Sequence, residues 1–214
     1  VYRRGLVEAC VGGILAALSV VMTMAKLAFP FPVLPYLKFE LAEIPVVIAA
    51  TSLPPRVSLY ASLAYWFVLL LVGEWTPIGP TMKFLAVIST VAGVLAASAI
   101  VRGRGRLWAL LCFALSSLIR TGVMTLANYA VLLFVMPGFL EYASQLLRAS
   151  GIGVGDEGVL LVVLALTALY NVLHVAMDLA VSLPISRALE RTSVYRSIAL
   201  GGGDEERGGA PSSG

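Results

Sequence analysis

The residues best placed to do chemistry are polar side chains that interrupt two long apolar runs. In the run over residues 107–135 they are Arg120, Thr121, Thr125 and Asn128. In the run over residues 158–186 they are Asn171, His174 and Asp178. A polar group at membrane depth costs free energy, so such residues commonly bind a ligand, carry protons or pair with one another. Spacings of three and four residues put the second set on one helical face, and Arg120 shares a face with Asn128 in the same way. The two polar faces are therefore expected to meet inside a helical bundle.

These side chains admit structural and functional interpretations. Arg120 and Asp178 are expected either to form a structural ion pair or to act in transport. Asn128 and Asn171 either bind a ligand or join neighbouring helices through hydrogen bonds, as membrane amides often do. His174 is a candidate site residue because it lies on the same helical face as Asn171. Since it is the only histidine in the sequence, a site built from several histidines is excluded, and no metal site is predicted.

Composition indicates the class of protein that has to position these residues. Of the 214 residues, 59% are hydrophobic and 13% are charged, and the mean hydropathy is +0.94. Such values lie outside the range of soluble globular domains and indicate an integral membrane protein. The apolar runs extend over 6–28, 41–53, 57–72, 81–101, 107–135 and 158–186. Because a helix needs about 20 residues to span the hydrocarbon layer, we predict an all-α fold, a bundle of six transmembrane helices.

The second and third runs are the shortest, and they contain Glu43, Pro45 and the pair Pro54-Pro55. They are expected to be a tightly turned helical pair, or alternatively a re-entrant hairpin. Either arrangement leaves both termini on one side of the membrane.

The distribution of basic residues predicts that this side is the cytoplasm, because Lys and Arg in short loops are retained there. With an inner N-terminus, the cytoplasmic set is Arg3, Arg4, Arg56, Arg102, Arg104, Arg106, Arg187, Arg191 and Arg196. The outer set is only Lys26, Lys38, Lys83 and Arg148. We expect one membrane domain over residues 1–196, in the cell membrane, followed by a disordered cytoplasmic tail over residues 197–214.

The sequence lacks the common signatures of hydrolytic enzymes. It contains no Gly-x-x-x-x-Gly-Lys-Ser/Thr phosphate loop, no His-Glu-x-x-His and no Gly-x-Ser-x-Gly. No catalytic residue and no cofactor are therefore predicted. If the protein moves a solute, an ion gradient or an energised partner must supply the free energy.

The first apolar run carries small residues at intervals of four. Ala9, Gly13 and Ala17 form one row, and Gly12 and Ala16 form a parallel row beside it. Small side chains let a second helix approach closely, which is a main source of helix association in lipid. These rows are expected either to pack within the bundle or to dock a partner subunit.

Four segments of the sequence resemble one transporter family. Residues 35–45 read Pro-Tyr-Leu-Lys-Phe-Glu-Leu-Ala-Glu-Ile-Pro and precede an apolar helix. This segment is similar to the first extracellular loop of the substrate-binding S components of energy-coupling factor (ECF) transporters, particularly those specific for riboflavin. Shorter matches are Gly79-Pro-Thr-Met-Lys-Phe-Leu-Ala86, Asn128-Tyr129 and Tyr170-Asn-Val-Leu-His174. The resemblance runs from about residue 9 to residue 190.

The resemblance implies a six-helix bundle that holds a vitamin near its outer face, beneath the first loop. It implies that Asn128 and Asn171 hold polar edges of the ligand, beside His174. The backbone around three loop residues would close over the ligand; they are Leu37, Lys38 and Phe39. His174 departs from the family, which commonly has lysine there, and Glu40 and Glu43 stand where aspartates are usual.

The resemblance also implies partners: a transmembrane coupling (T) subunit and two cytoplasmic ATPases. The row Ala9, Gly13 and Ala17, or the Gly12-Ala16 row, would dock on the coupling subunit. The expected function is therefore vitamin capture for uptake, with riboflavin or a related flavin as the transported ligand. Alternatives are another vitamin, or a stand-alone proton-coupled transporter in which Asp178, His174 and Arg120 form a relay.

Overall fold

The computed structural model describes residues 2–192 and 195, and in this part of the chain the fold is almost entirely helical. The helices are α1 Tyr2–Met24, α2 Ile44–Ser52, α3 Pro55–Val72, α4 Ile78–Ile100, α5 Arg106–Ala130, α6 Gly138–Ala149 and α7 Val159–Leu189. Two short strands, β1 Ala28–Pro30 and β2 Lys38–Glu40, lie between α1 and α2. Among the described residues, five helices are long and apolar enough to cross a membrane: α1, α3, α4, α7, and α5 with its continuation to Val135. The chain is thus an all-α membrane protein.

The predicted apolar runs coincide with helices, but the second run is shorter than a span. Residues Leu41–Glu43 form a 3-10 turn, and α2 adds only nine residues. A sixth crossing and the cytoplasmic side of the termini stay predictions. The predicted tail, 197–214, lies outside the described residues.

The short helix α2 occupies the centre of the bundle. All nine of its side chains are buried, which suits a segment that is apolar on every face. Pro45 stands in its first turn, where a missing N–H leaves no intrahelical bond unmade. Leu53 adopts an extended conformation before Pro54, so the helix ends there. α2 packs against α7, α3, α1 and α4, which makes it a common support for the long helices.

Close helix contacts depend on glycine at two positions. A Cβ on Gly93 of α4 would lie 2.3 Å from the Cα and N atoms of Ser116 on α5. A Cβ on Gly12 of α1 would lie 2.8 Å from the Cβ of Tyr60 on α3. Glycine therefore allows the α4–α5 and α1–α3 backbones to approach directly.

The segment between α1 and α2 forms a β-hairpin that the helical pattern does not predict. β1 and β2 pair antiparallel with Phe29 opposite Phe39. Inside the hairpin loop, the N–H of Phe31 donates to the carbonyl of Leu37 at 2.7 Å. We call residues 28–40 the hairpin, and the end of the bundle that carries it the hairpin end.

The hairpin is packed onto the helices by an apolar cluster that includes Phe31, Leu34 and Phe39. Its helical partners include Leu147 of α6 and Tyr170 of α7. α6, which the sequence analysis also does not predict, follows a π-helical turn, Val131–Val135, and lies beside the hairpin. The hairpin thus closes one end of the bundle.

Candidate functional site

The interior of the bundle holds a cluster of polar side chains centred on Arg120 of α5. This residue is 1% exposed. Its Nε donates to Asn171 Oδ1 at 3.0 Å, and its Nη1 donates to Thr90 Oγ1 at 3.0 Å. Its Nη2 lies 3.1 Å from His174 Nδ1. We call Glu43, Thr90, Arg120, Asn171, His174 and Asp178 the polar cluster.

Glu43 is the closest ionic partner of Arg120. Arg120 Nη1 donates to Glu43 Oε2 at 2.6 Å, and Nη2 donates to Oε1 at 3.2 Å. Two parallel charge-assisted hydrogen bonds of this kind form the strong, directional pair that guanidinium and carboxylate favour. Glu43 immediately precedes α2 and is 2% exposed. The sequence analysis associates it with the outer loop, whereas the structure buries it between helices.

Asp178 is the second carboxylate of the polar cluster, and it is less firmly held. Its Oδ2 lies 3.5 Å from Arg120 Nη1, so the two side chains meet across α5 and α7, as the sequence predicts. Its Oδ1 is buried and has no hydrogen-bond partner among the described residues. The side chain is completely buried.

An aromatic layer separates the polar cluster from the hairpin end. The Phe39 ring lies 4.9 Å from the Tyr170 ring and 5.6 Å from the His174 imidazole, measured between centroids. Phe31 meets both Phe39 and Tyr170 edge-on. Flat apolar faces of this kind can stack on a planar ligand.

Two polar contacts fasten the hairpin to the helices. The Tyr170 hydroxyl donates to the backbone carbonyl of Lys38 at 2.5 Å. Lys83 of α4 forms a partly exposed ion pair with Glu40 at the end of β2. Lys83 is therefore anchored to the hairpin.

A tyrosine at the hairpin tip is half-buried against α6. The Tyr36 ring packs against Phe139 at 4.8 Å, and its hydroxyl has no hydrogen-bond partner among the described residues. Burial, and secondarily the nearby Tyr142, raises the pKa of Tyr36 from 10.0 to about 12. The Tyr36 side chain is therefore held as a neutral phenol while the hairpin is docked.

The structure brings five of the six predicted ligand residues to this region. Asn171 and His174 lie in the polar cluster, and Phe39 lies over His174. Lys38 presents its backbone carbonyl to Tyr170, while its side chain is exposed. Leu37 is half-buried in the hairpin loop, where it packs in the apolar cluster.

Asn128 lies apart from the polar cluster. Its amide donates to the carbonyl of Met124, one turn earlier on α5, at 2.8 Å. Asn128 stands eight residues beyond Arg120, which corresponds to about 12 Å along the helix. Asn171, in contrast, bonds directly to Arg120. The two asparagines therefore lie at different levels along the bundle.

The two rows of small residues on α1 have different surroundings. Gly12 and Ala16 are buried, and Gly12 packs directly on α3. Ala9, Gly13 and Ala17 are exposed, and a Cβ on Gly13 would meet nothing within 4 Å. The row Ala9, Gly13 and Ala17 is therefore the one available to another chain.

Three side chains of the polar cluster have the donor types of a metal site. Atoms of Glu43, His174 and Asp178 lie within 4.8 Å of one another. However, the guanidinium of Arg120 already binds both carboxylates and faces His174 Nδ1. A donor-only guanidinium next to Nδ1 makes that nitrogen an acceptor, so Nε2 carries the hydrogen and is not a metal ligand. The described residues therefore fit an ion-pair network better than a metal centre.

An open cleft of about 460 Å³ lies between α6 and the start of α7. Its lining includes Leu140, Glu141, Gln145 and Val159. None of the predicted ligand residues lines it. No residue of the hairpin is among the described residues that line it.

Three contributors to this region were not among the predicted site residues: Glu43, Thr90 and Tyr170. Tyr170 could have been found from its spacing, since it stands one turn before His174 on the same face. Glu43 could have been predicted to need a buried partner, because it directly precedes an apolar segment that contains no other charged residue. Thr90 gives no comparable signal.

Comparisons with known proteins give no match for this chain among protein-family models, curated proteins or solved structures.

Proposed function

We propose that this chain is the substrate-capture (S) subunit of an ECF-type vitamin importer in the cell membrane, and that it binds riboflavin or a related flavin. The observation that carries the proposal is the hairpin docked over a buried polar cluster, with aromatic rings between them. This arrangement supports a ligand site that is closed from one end of the bundle. The hairpin would act as its lid.

The chemistry of a flavin suits this region. Its flat ring system stacks on aromatic side chains such as Phe39 and Tyr170, and its imide edge both donates and accepts hydrogen bonds. Asn171 and His174 offer matching donors and acceptors. A ring with an extended polyol chain is long enough to reach Asn128, the more distant of the two asparagines. The ligand would lie along the α5–α7 interface.

The energy for uptake would come from other subunits. We propose a coupling subunit and two ATPases as partners, with α1 as the docking helix. The exposed row Ala9, Gly13 and Ala17 supports this assignment, because the neighbouring Gly12-Ala16 row is already used inside the bundle. In the proposed arrangement α2 counts as the sixth membrane segment, and both termini are cytoplasmic.

Ligand capture is tested by purifying the protein from cells grown with riboflavin and recording the flavin absorption spectrum. Titration of stripped protein should then give saturable binding that Phe39→Ala weakens at least tenfold, because the variant removes a stacking face. Phe134→Ala is the matched control, since Phe134 is an aromatic residue that is 77% exposed on the bundle surface. Protein without flavin and without saturable binding would refute the riboflavin assignment.

Docking is tested by co-purification with the coupling subunit. Gly13→Leu should abolish capture of that subunit and leave flavin binding intact. Gly122→Leu is the control, because Gly122 is also an exposed helical glycine with open space around it. Equal capture by the Gly13 variant and the wild type would refute the docking role of α1.

A second candidate function is a stand-alone transporter driven by protons. The buried network of Arg120, His174 and Asp178 favours it, because ionisable chains of this type serve as relays in membranes. Proteoliposomes that contain this chain alone distinguish the two functions. Uptake that an uncoupler abolishes would support the relay, whereas dependence on the ATPases would support vitamin capture.

A further inference from the structure

We propose that the polar cluster holds one exchangeable proton on Asp178 Oδ1, and that the protein releases this proton when the hairpin opens. The inference rests on the proposed role of the hairpin as a lid. It is independent of which vitamin is bound and of any partner subunit.

The charges of the polar cluster do not balance without an added cation. Glu43 and Asp178 contribute two carboxylates, and Arg120 contributes one guanidinium. Their side chains are 3% exposed or less. A net charge in such surroundings is costly, so a buried site tends to take up a balancing charge. A proton is the smallest group that can supply it.

Hydrogen-bond counting shows which carboxylate is available for that proton. Arg120 has five N–H groups, and its close acceptors, within 3.2 Å, are Asn171, Thr90, His174 and both oxygens of Glu43. Five acceptor atoms thus use five donors. Asp178 is left with one contact at 3.5 Å and one oxygen that has no partner among the described residues. Glu43 is therefore the ionised partner and Asp178 the protonated one.

His174 is not the carrier of this proton. Its Nδ1 faces Arg120 Nη2, which can only donate, at 3.1 Å, and the Tyr170 hydroxyl at 2.9 Å. A second proton on the ring would set two N–H groups against each other. In the neutral ring the hydrogen sits on Nε2, which lies 3.8 Å from Asp178 Oδ1, 3.7 Å from Glu43 Oε1 and 3.4 Å from the Glu40 carbonyl.

Within the described part of the chain, the other elements around Asp178 supply no competing partner. α2 packs against α7 and contains no titratable side chain. At the hairpin end, Glu40 and Lys83 pair with each other. The groups that face Asp178 are thus Glu43, Arg120 and His174, with Tyr170 beyond the imidazole.

The position of Glu43 links the proton to the hairpin. Glu43 ends the 3-10 turn that directly follows β2, so a hairpin that lifts from the bundle draws Glu43 away from Arg120. Arg120 then pairs with Asp178, its remaining carboxylate neighbour. The O–H bond of Asp178 breaks, and its proton passes to water admitted through the opened end. Closure reverses these steps and takes up one proton.

Infrared spectroscopy tests the resident proton without ligand or partners. A protonated carboxyl absorbs apart from carboxylate and amide groups. We expect such a band at neutral pH in wild-type protein, and we expect it to shift when aspartate is labelled with carbon-13. Asp178→Asn should remove the band, while Glu8→Gln should keep it, because Glu8 is a buried carboxylate paired with Arg4 elsewhere in the bundle. Absence of a label-sensitive band in wild-type protein would overturn the proposal, whether or not flavin binds and whether or not the Asn variant folds.

Hydrogen exchange of the hairpin amides tests the link to opening. In wild-type protein, the opening equilibrium, corrected for intrinsic exchange rates, should rise about tenfold per pH unit where one proton is released. Asp178→Asn mimics the protonated side chain and should remove that dependence. A wild-type opening equilibrium that stays constant with pH would refute the coupling, while leaving the flavin-binding test unaffected.

Discussion

The pair between Arg120 and Glu43 is the interaction whose loss should damage the fold most, and the two partners should differ in cost. Arg120→Met leaves Glu43 buried without a countercharge and removes the donor from Asn171, Thr90 and His174. Breaking a buried ion pair on one side typically costs about 3–5 kcal/mol. We expect a loss of this size in the free energy of unfolding.

Glu43→Leu should cost less, about 1–3 kcal/mol, the typical cost of leaving a buried polar group without a partner. The reason is that Asp178 stands 3.5 Å from the same guanidinium and can replace the missing carboxylate. The double variant should be more stable than Arg120→Met alone, since it leaves no Glu43 carboxylate stranded. A smaller loss of stability in Glu43→Leu than in Arg120→Met would therefore indicate that Asp178 can pair with Arg120 in place of Glu43.

Equilibrium unfolding in mixed micelles, followed by circular dichroism, measures these differences. Lys83→Met is the control, because Lys83 belongs to a partly exposed pair with Glu40 and should change the unfolding free energy by about 1 kcal/mol or less. An Arg120→Met variant as stable as the wild type would refute the buried network. A Glu43→Leu variant less stable than Arg120→Met would refute the role given to Asp178.

Two further predictions concern packing and pH. Gly93→Leu should lower the thermal unfolding midpoint by several degrees, because its Cβ would collide with Ser116, whereas Gly122→Leu should not; equal midpoints would contradict the close α4–α5 contact. The contribution of Tyr36 to hairpin docking should be complete below pH 10 and be lost as pH rises toward about 12, because the docked state holds the Tyr36 proton more tightly than solvent-exposed tyrosine does. Hydrogen exchange in the hairpin measures this, and Tyr36→Phe should remove that alkaline step.

The sequence was most informative where helical periodicity applies. Runs of apolar residues marked the long helices, and spacings of three and four placed Asn171, His174 and Asp178 on one face. The structure places Asp178 3.5 Å from Arg120, with Asn171 and His174 also bonded to the same arginine. Periodicity alone could not assign levels along the bundle, so it did not separate Asn128 from the polar cluster.

The elements that sequence analysis missed depend on contacts between distant parts of the chain. Glu43 stands 77 residues from Arg120, and nothing local to residues 41–43 specifies that pairing. The hairpin and α6 are stabilised by the apolar cluster that they form together with α7. Short elements of this kind have weak intrinsic preferences and acquire their structure from tertiary packing.

The closed network around Arg120 sets a condition on how any ligand can bind beneath the hairpin. Asn171 already accepts from Arg120 and donates to the Thr167 carbonyl, so a ligand that uses its amide has to replace an existing hydrogen bond rather than add one. Such an exchange contributes little net free energy. The larger share of affinity should therefore come from stacking on Phe39 and Tyr170 and from apolar burial under the hairpin. On this reasoning Phe39→Ala should weaken flavin binding more than Asn171→Ala does, and the reverse order in a binding titration would contradict it.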